Sequence, residues 1–293
     1  MTEEFELVAP EAVDSPGDEW EEIDVADTEA DRIARRRDRE FNEFRKRIKD
    51  TERFKLEESV FDEATYAAIY KLVQDGYIDA FGGPISTGKE ANVYTAKAGD
   101  QTVAVKVYRI NASDFKDMRG YLDGDPRFEG IGQDKRKVVM AWVRKEFANL
   151  KRAKQAGVRV PNPIAVERNV LVMEYIATDG DRAKRLNEVH IENPETAYEV
   201  VREYMRRLYD AGLVHGDLSE YNIVFQEGQL VVIDLGQAVT KHHPNAGDFL
   251  ERDCENVAAF FARQGMEITG EQLYDYITDD ERTASDEDAA DDP

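Results

Sequence analysis

The sequence predicts an α+β fold in which a small β-rich lobe precedes a reduced helical lobe. Strand-like segments joined by a turn cluster before residue 110, whereas helical periodicities dominate after residue 135. The length, 293 residues, provides ample core for one large domain or two lobes.

Each element follows from local pattern. Residues 1–28 are acidic without sustained periodicity and read as a disordered tail, and 29–54 read as a polar helix or linker. The first lobe is expected over 55–175, the second over 176–277, and a second acidic disordered tail over 278–293. Within the first lobe, 60–80 carry apolar residues at helical spacing, FGGPIST reads as loop, and 92–98 with 102–108 form a hairpin about the turn AGDQ. Residues 111–134 are polar, contain glycine and are long for a connection, which marks a flexible or functional loop. Residues 137–155 predict a helix and 169–175 a strand; helices follow at 194–211 and about 247–264, the latter read as the last. The segment 229–236, QLVVIDLG, reads as a strand ending in an acid.

Composition narrows the function classes. No run of 18 apolar residues exists, and the N-terminus lacks a basic region followed by an apolar stretch, so neither a membrane span nor a secretory signal is expected. The single cysteine, Cys254, excludes an internal disulfide framework and reads as a small core residue. These features point to the cytoplasm. The formal charge of −23 argues against a nucleic-acid coat protein and fits a salt-rich cytoplasm. Two stretches, 32–49 and 135–154, are nonetheless basic, and read either as solvated helix faces or as contact surfaces for an RNA-containing partner.

The chemistry begins with LVHGDLSEYNIVF, residues 213–225, where an apolar run is interrupted by Asp217 and Asn222. Apolar flanks imply that this polar centre lies at the edge of the core, where an acid and an amide need partners or a ligand. Upstream, Gly83, Gly88 and Lys89 match most of a Walker A loop, but Glu90 stands where Ser or Thr would hold magnesium. Strand formers follow instead of a helix, so that reading fails. The alternative is a loop between two strands that folds over a nucleotide, with a lysine on the next strand aimed at the same phosphates. Lys106 in VAVKVY fits, and a buried lysine requires an acid; Glu146 in the following helix is the candidate.

The order of Gly-containing loop, VAVK lysine, acid with asparagine five residues on, and Ile-Asp after a strand resembles the protein-kinase-like fold. In finer detail STGKEANVY, LVHGDLSEYN, VVIDLGQAV and HPNAGDFLERDCENVAAFF resemble the type-one branch of the RIO family of atypical kinases, from a halophilic archaeon. The resemblance covers about residues 55–265. It implies ATP and Mg²⁺, or Mn²⁺ in its place, as cofactors. It places Ser86, Gly88 and Lys89 over the phosphates, Val93 in the nucleotide site, and Lys106 paired with Glu146 on the α and β phosphates. It assigns the adenine edge to the C=O of Glu174 and the N–H of Ile176, the catalytic base to Asp217, and the metal to Asn222 and Asp234. Asp234 is also the position that becomes an aspartyl-phosphate in that family, and His215 is expected to brace the loop.

Three departures stand out. Gly236 replaces a serine common in this branch, a smaller residue that should be tolerated. Asp217 lacks a preceding arginine, and no APE-like segment follows, so the peptide-binding platform of ordinary kinases has no sequence to build it. The implied activity is γ-phosphoryl transfer to water, to its own Asp or Ser, or to a protein serine. The implied partner is a maturing small ribosomal subunit with its rRNA. A small-molecule phosphotransferase of the aminoglycoside or choline kinase type, and a non-enzymatic ATP-binding assembly factor, stand as alternatives.

Overall fold

A computed structural model of the chain describes residues 39–43, 61–110, 115–122, 128 and 134–279. The expected tail over 1–28, most of the expected linker, residues 280–293 and much of the 111–134 connection lie outside the described residues. The chain divides into two units, Met1–Glu52 and Arg53–Pro293. In the first, residues 39–43 are helical; the second is described below.

The second unit opens with helix α1, Glu63–Gln74, capped by Asp62, whose carboxylate accepts from the Thr65 N–H at 2.8 Å. Its apolar face buries Tyr66, Ile69 and Leu72. Five strands then form one antiparallel sheet: β1 Ala80–Thr87, β2 Ala91–Ala98, β3 Gln101–Tyr108, β4 Pro163–Glu167 and β5 Val170–Glu174, in the order β1-β2-β3-β5-β4. β3 is central and buried over Val103–Tyr108, which is why its sequence is continuously apolar apart from Lys106.

β1 departs from the expected loop. The FGGPIST segment is a strand, and it accommodates glycine and proline because it is the sheet edge: its register to β2 shifts on both sides of Pro84. Gly82 is needed there, since a Cβ would lie 2.2 Å from the Thr95 hydroxyl.

Between β3 and β4 come a short helix α2, Phe115–Gly120, and the long helix α3, Lys135–Gln155. Asp134 caps α3 through the Arg136 N–H at 2.9 Å. Its buried face runs Val138, Val139, Trp142, Glu146, Asn149, Leu150 and Ala153, the three-and-four spacing of a core-facing stripe. After β5 the chain crosses through short strands β6 Ala177–Thr178, β7 Asp181–Arg182 and β8 Lys184–Arg185 into the helical lobe. Helix α4, Pro194–Asp210, is capped by Asn193 with proline in its first turn. β9 Leu213–Val214 pairs with β12 Val239–Thr240, and β10 Ile223–Gln226 pairs with β11 Gln229–Val232 and with β8. Helix α5 is Ala246–Arg263.

A further helix, α6 (Gly270–Thr278), corrects the expectation that 247–264 is the last. The Thr269 side chain caps the N–H of Gln272 while Gln272 returns to the Thr269 N–H, a capping box ahead of buried Leu273 and Ile277. The architecture is bilobal and protein-kinase-like, with an antiparallel sheet followed by a reduced helical part. One apolar cluster runs through both lobes, from Trp142 and Leu171 to Leu218, Leu250 and Phe261.

α6 is tied to α4 by Arg206, which donates to the carbonyls of Tyr276 at 3.1 Å and Asp279 at 3.2 Å. Replacing it, Arg206→Met, should destabilise the protein by about 1–2 kcal/mol, read as a lower urea midpoint with unchanged m-value.

Candidate active site

The centre of the site is the amine of Lys106. It lies 2.7 Å from Glu146 Oε1 and 2.8 Å from Asp234 Oδ1, so a strand, a helix and the loop after β11 meet at one cation. The lysine side chain is 10% exposed and Glu146 1%, whereas Asp234 is 52% exposed. Burial alone would discharge the amine, but the Asp234 and Glu146 carboxylates outweigh it and hold the Lys106 pKa well above its usual value. Lys106 in turn holds the Asp234 carboxyl below the ordinary range, against burial. Burial lifts Glu146, with Lys106 pulling the other way.

Tyr108 lies two residues beyond Lys106 and therefore on the same face of β3. Its hydroxyl donates to Glu146 Oε2, and the Lys106 amine lies 5.1 Å from its ring centroid. Burial raises the phenol well above its usual pKa, which keeps it a donor. Glu146 is thus held from two sides, by a role for Tyr108 that no motif signalled.

Asp234 adopts φ = +63°, a left-handed conformation that Asp tolerates better than most residues. The loop around it is held from α3: Lys145 donates to the Gly236 carbonyl at 2.9 Å, and Asn149 to those of Leu235 at 3.2 Å and Ala238 at 2.8 Å. Gly236 is closely packed, since a Cβ would meet Trp142 Nε1 at 3.1 Å and the Tyr108 hydroxyl at 3.4 Å.

The segment holding Asp217 and Asn222 runs alongside. Ile233 N–H donates to the Asn222 carbonyl at 2.9 Å, which sets Asn222 beside the Asp234 loop. The Asn222 amide NH₂ donates to the Asp217 carbonyl at 2.8 Å and to its carboxylate at 3.3 Å. His215 Nε2 is 3.1 Å from the Ile233 carbonyl, an acceptor only, so that nitrogen carries the proton. Burial lowers the His215 pKa, leaving a neutral ring that braces the two loops. Burial also raises the Asp217 carboxyl above its ordinary range.

This loop is gripped from below by α5. Asp253 accepts the N–H groups of Gly216 and Leu218, both at 2.7 Å. Arg252 donates to the Gly216 carbonyl, and Asn256 to that of Leu218 at 3.2 Å. In the sequence, HPNAGDFLERDCENVAAFF carries part of the family resemblance but gives these three residues no role. The available signal was position: Asp253 and Val257 share a buried stripe, and an acid on a core stripe needs donors.

The remaining expected residues divide into two groups. Val93 is the register partner of Lys106 across β2 and β3, and so flanks the lysine. Glu174 ends β5 and Ile176 follows in the crossover between lobes, where the Ile176 carbonyl accepts from Ala183. Ser86 is at the exposed end of β1, and Gly88 to Glu90 form the turn into β2. The Gly88 N–H is engaged with the Ala91 carbonyl at 3.0 Å, which leaves the turn tip at Lys89 and Glu90. Among the described residues, no bond joins Ser86, Gly88 or Lys89 to Lys106, Asp217, Asn222 or Asp234.

The donor set fits a hard divalent ion. With its NH₂ turned to Asp217, Asn222 has its amide oxygen available, and Asp234 presents a half-exposed carboxylate. Among the described residues no group of three or more His, Cys, Asp or Glu is gathered to hold a metal by itself. One carboxylate and one amide oxygen, completed by phosphate oxygens, is the kind of set magnesium accepts. No helix among the described residues is long and apolar enough to cross a membrane.

Comparison with known proteins gives the family. The family model described as the RIO domain matches residues 92–273. The RIO-type serine/threonine-protein kinase Rio1 of Haloferax volcanii is 71% identical over 282 residues, covering 96% of this chain and 97% of its own. Its counterpart in Methanocaldococcus jannaschii is 39% identical over 251 residues, 84% of this chain and 86% of its own. The crystal structure of the Rio2 kinase-ADP/Mg²⁺-phosphoaspartate complex from Chaetomium thermophilum shares the fold, with a TM-score of 0.57 at 23% identity over 74% of this chain and 67% of that one.

Asp253 provides a test of the loop brace. Burial pushes its carboxyl from an ordinary 3.8 up to about 7, with the two N–H bonds and Arg252 resisting. The folded chain therefore holds a proton that the unfolded chain has released, and Asp253 loses stabilising effect as pH rises from about 4 to about 7. In Asp253→Asn this slope should vanish from urea-unfolding free energies over that window, while phosphoryl transfer falls because one loop N–H loses its acceptor.

Proposed function

The chain belongs to the RIO domain family, in its archaeal Rio1 branch, and from that premise we propose that the Lys106 cluster serves transfer of the ATP γ-phosphoryl group. As a member it is an atypical serine/threonine kinase. The observation that carries the reading is the meeting of Lys106, Glu146 and Asp234 at 2.7 and 2.8 Å, beside the paired Asp217 and Asn222.

The roles follow from the chemistry of each group. Lys106, kept charged, would neutralise phosphate oxygens, with Glu146 and Tyr108 fixing its direction. Asn222 and Asp234 would hold Mg²⁺ through oxygen. Bound Mg²⁺ supplies charge neutralisation and alignment of the phosphates. Asp217, made more basic by burial, would accept the proton of an attacking hydroxyl or water. Its grip by Asn222, and that of its loop by Asp253, orients it for that transfer. Val93 would lie against the nucleotide, and Glu174 and Ile176 would offer a backbone acceptor and donor to the adenine edge. Ser86, Gly88 and Lys89 would cover the phosphates, with Lys89 at the turn tip.

Asp234→Ala should abolish Mg²⁺-dependent nucleotide binding, whereas Asp217→Ala should retain binding and slow turnover by about 10²–10⁴-fold. A fluorescent ATP analogue titrated with and without Mg²⁺ separates the two, and equal loss of affinity in both would show the roles misassigned. With γ-labelled ATP, the label is expected as free phosphate, on Asp234 or on a serine; recovery only on an added small alcohol would favour a small-molecule phosphotransferase.

We propose also that the protein acts in the cytoplasm on a maturing small ribosomal subunit. The family resemblance supports this, and so does α3, which exposes Lys137, Arg144 and Lys151 along one face of an otherwise acidic chain. Binding titrated against salt should favour small-subunit particles over free tRNA; equal affinity for both would remove the partner.

A further inference from the structure

The crossover between the lobes is enclosed by a ring of bonds that the proposed chemistry does not use. Arg159, in the turn between α3 and β4, grips Glu174 with both ends of its guanidinium: Nη1 to Oε2 at 2.9 Å and Nη2 to Oε1 at 2.6 Å. Nη2 also reaches Gln226 Oε1 at 3.0 Å, on β10 of the other lobe. The amide of Gln226 then donates to the Ala177 carbonyl at 3.0 Å, just past the crossover. The ring Arg159–Glu174–Ala177–Gln226 is therefore closed, with Tyr175 and Ile176 spanning it.

The same residue holds the metal-loop strand through its main chain. The Val232 N–H donates to the Arg159 carbonyl at 2.9 Å, two residues before Asp234. Glu174 is secured further by the Asn162 N–H at 3.0 Å. Partial burial works against its charge, yet Arg159 and Asn162 prevail and keep the Glu174 carboxyl below its usual range. The pair is only about one-third exposed at either end, 27% and 32%, which shields it from the screening that weakens surface pairs.

We propose that Arg159 is a positioning residue that sets the angle between the lobes at the nucleotide cleft. It does so by locking the Glu174–Ala177 crossover to β10 and β11. This rests on the functional reading above, in which the cleft between the lobes takes ATP. A flat guanidinium satisfies two carboxylate oxygens and an amide oxygen together, a geometry that a lysine ammonium does not reproduce. Loss of the ring lets the crossover rotate, and rotation moves the backbone of Glu174 and Ile176 relative to Asp234. Nucleotide affinity should suffer before the chemical step does.

The test uses the full chain with Mg²⁺ and a fluorescent ADP analogue, alongside steady-state ATP turnover. Arg159→Met and Glu174→Gln should each weaken ADP binding and raise KM for ATP about tenfold with a smaller change in kcat, and the double variant should be no worse than either. Arg159→Lys should recover only part of the loss. Arg206→Met, which loosens α6 and removes no bond of the ring, serves as the stability control and should bind ADP normally. Unchanged affinity in Arg159→Met, fully additive losses, or an equal loss in Arg206→Met would overturn the proposal. Should Arg159→Met not fold, Arg159→Lys and Glu174→Gln carry the same comparison. Failure of the unmodified chain to bind ADP at all would instead sink the functional reading, and this inference with it.

Discussion

A buried ammonium between two carboxylates is the constraint to which the rest of the site conforms. Taking the ammonium and the Glu146 carboxylate out of water is costly, and removing one partner from such a buried pair typically costs about 3–5 kcal/mol. β3, α3 and the loop after β11 are therefore not free to move independently of one another. Lys145, next to Glu146 in sequence, and Asn149, three residues further along α3, extend that dependence by holding the carbonyls of the Asp234 loop. The N-terminal lobe thus positions a carboxylate that belongs to the C-terminal lobe.

The second layer is the bracing of Asp217 from below. An acid that must take up a proton needs a fixed direction, and a loop as short as residues 215–222 cannot supply this by packing alone. The fold supplies it through α5, whose Arg252, Asp253 and Asn256 engage the N–H and C=O of both Gly216 and Leu218, on either side of Asp217. His215 contributes as a neutral donor, in keeping with the expectation that it braces rather than titrates.

Much of this was legible from residue order. Lys106 announced itself as one charge in an apolar strand, and Glu146 as the acid on the next helix. Asp217, Asn222 and Asp234 stood out because polar residues interrupted apolar runs. Other parts were hidden for physical reasons. Tyr108 reads as an ordinary aromatic strand residue, because nothing in one dimension says its hydroxyl meets Glu146. Asp253 is indistinguishable by composition from the surface acids of a very acidic chain. The edge position of β1, which excuses Pro84 and its glycines, exists only once the sheet is assembled. Helix α6 was obscured by the acidic residues that follow it, although its capping box was present in the sequence.

Gly236 leaves little room for the serine that the family resemblance leads one to expect there. The space above its Cα is already claimed by the indole nitrogen of Trp142 and the phenol of Tyr108, at 3.1 and 3.4 Å from any added carbon. A side chain there would need the indole to give by a few tenths of an ångström, with the phenol that steadies Glu146 already at contact distance. The three positions are therefore coupled: a larger residue at 236 presses on Trp142 and Tyr108 together, and through the phenol on Glu146.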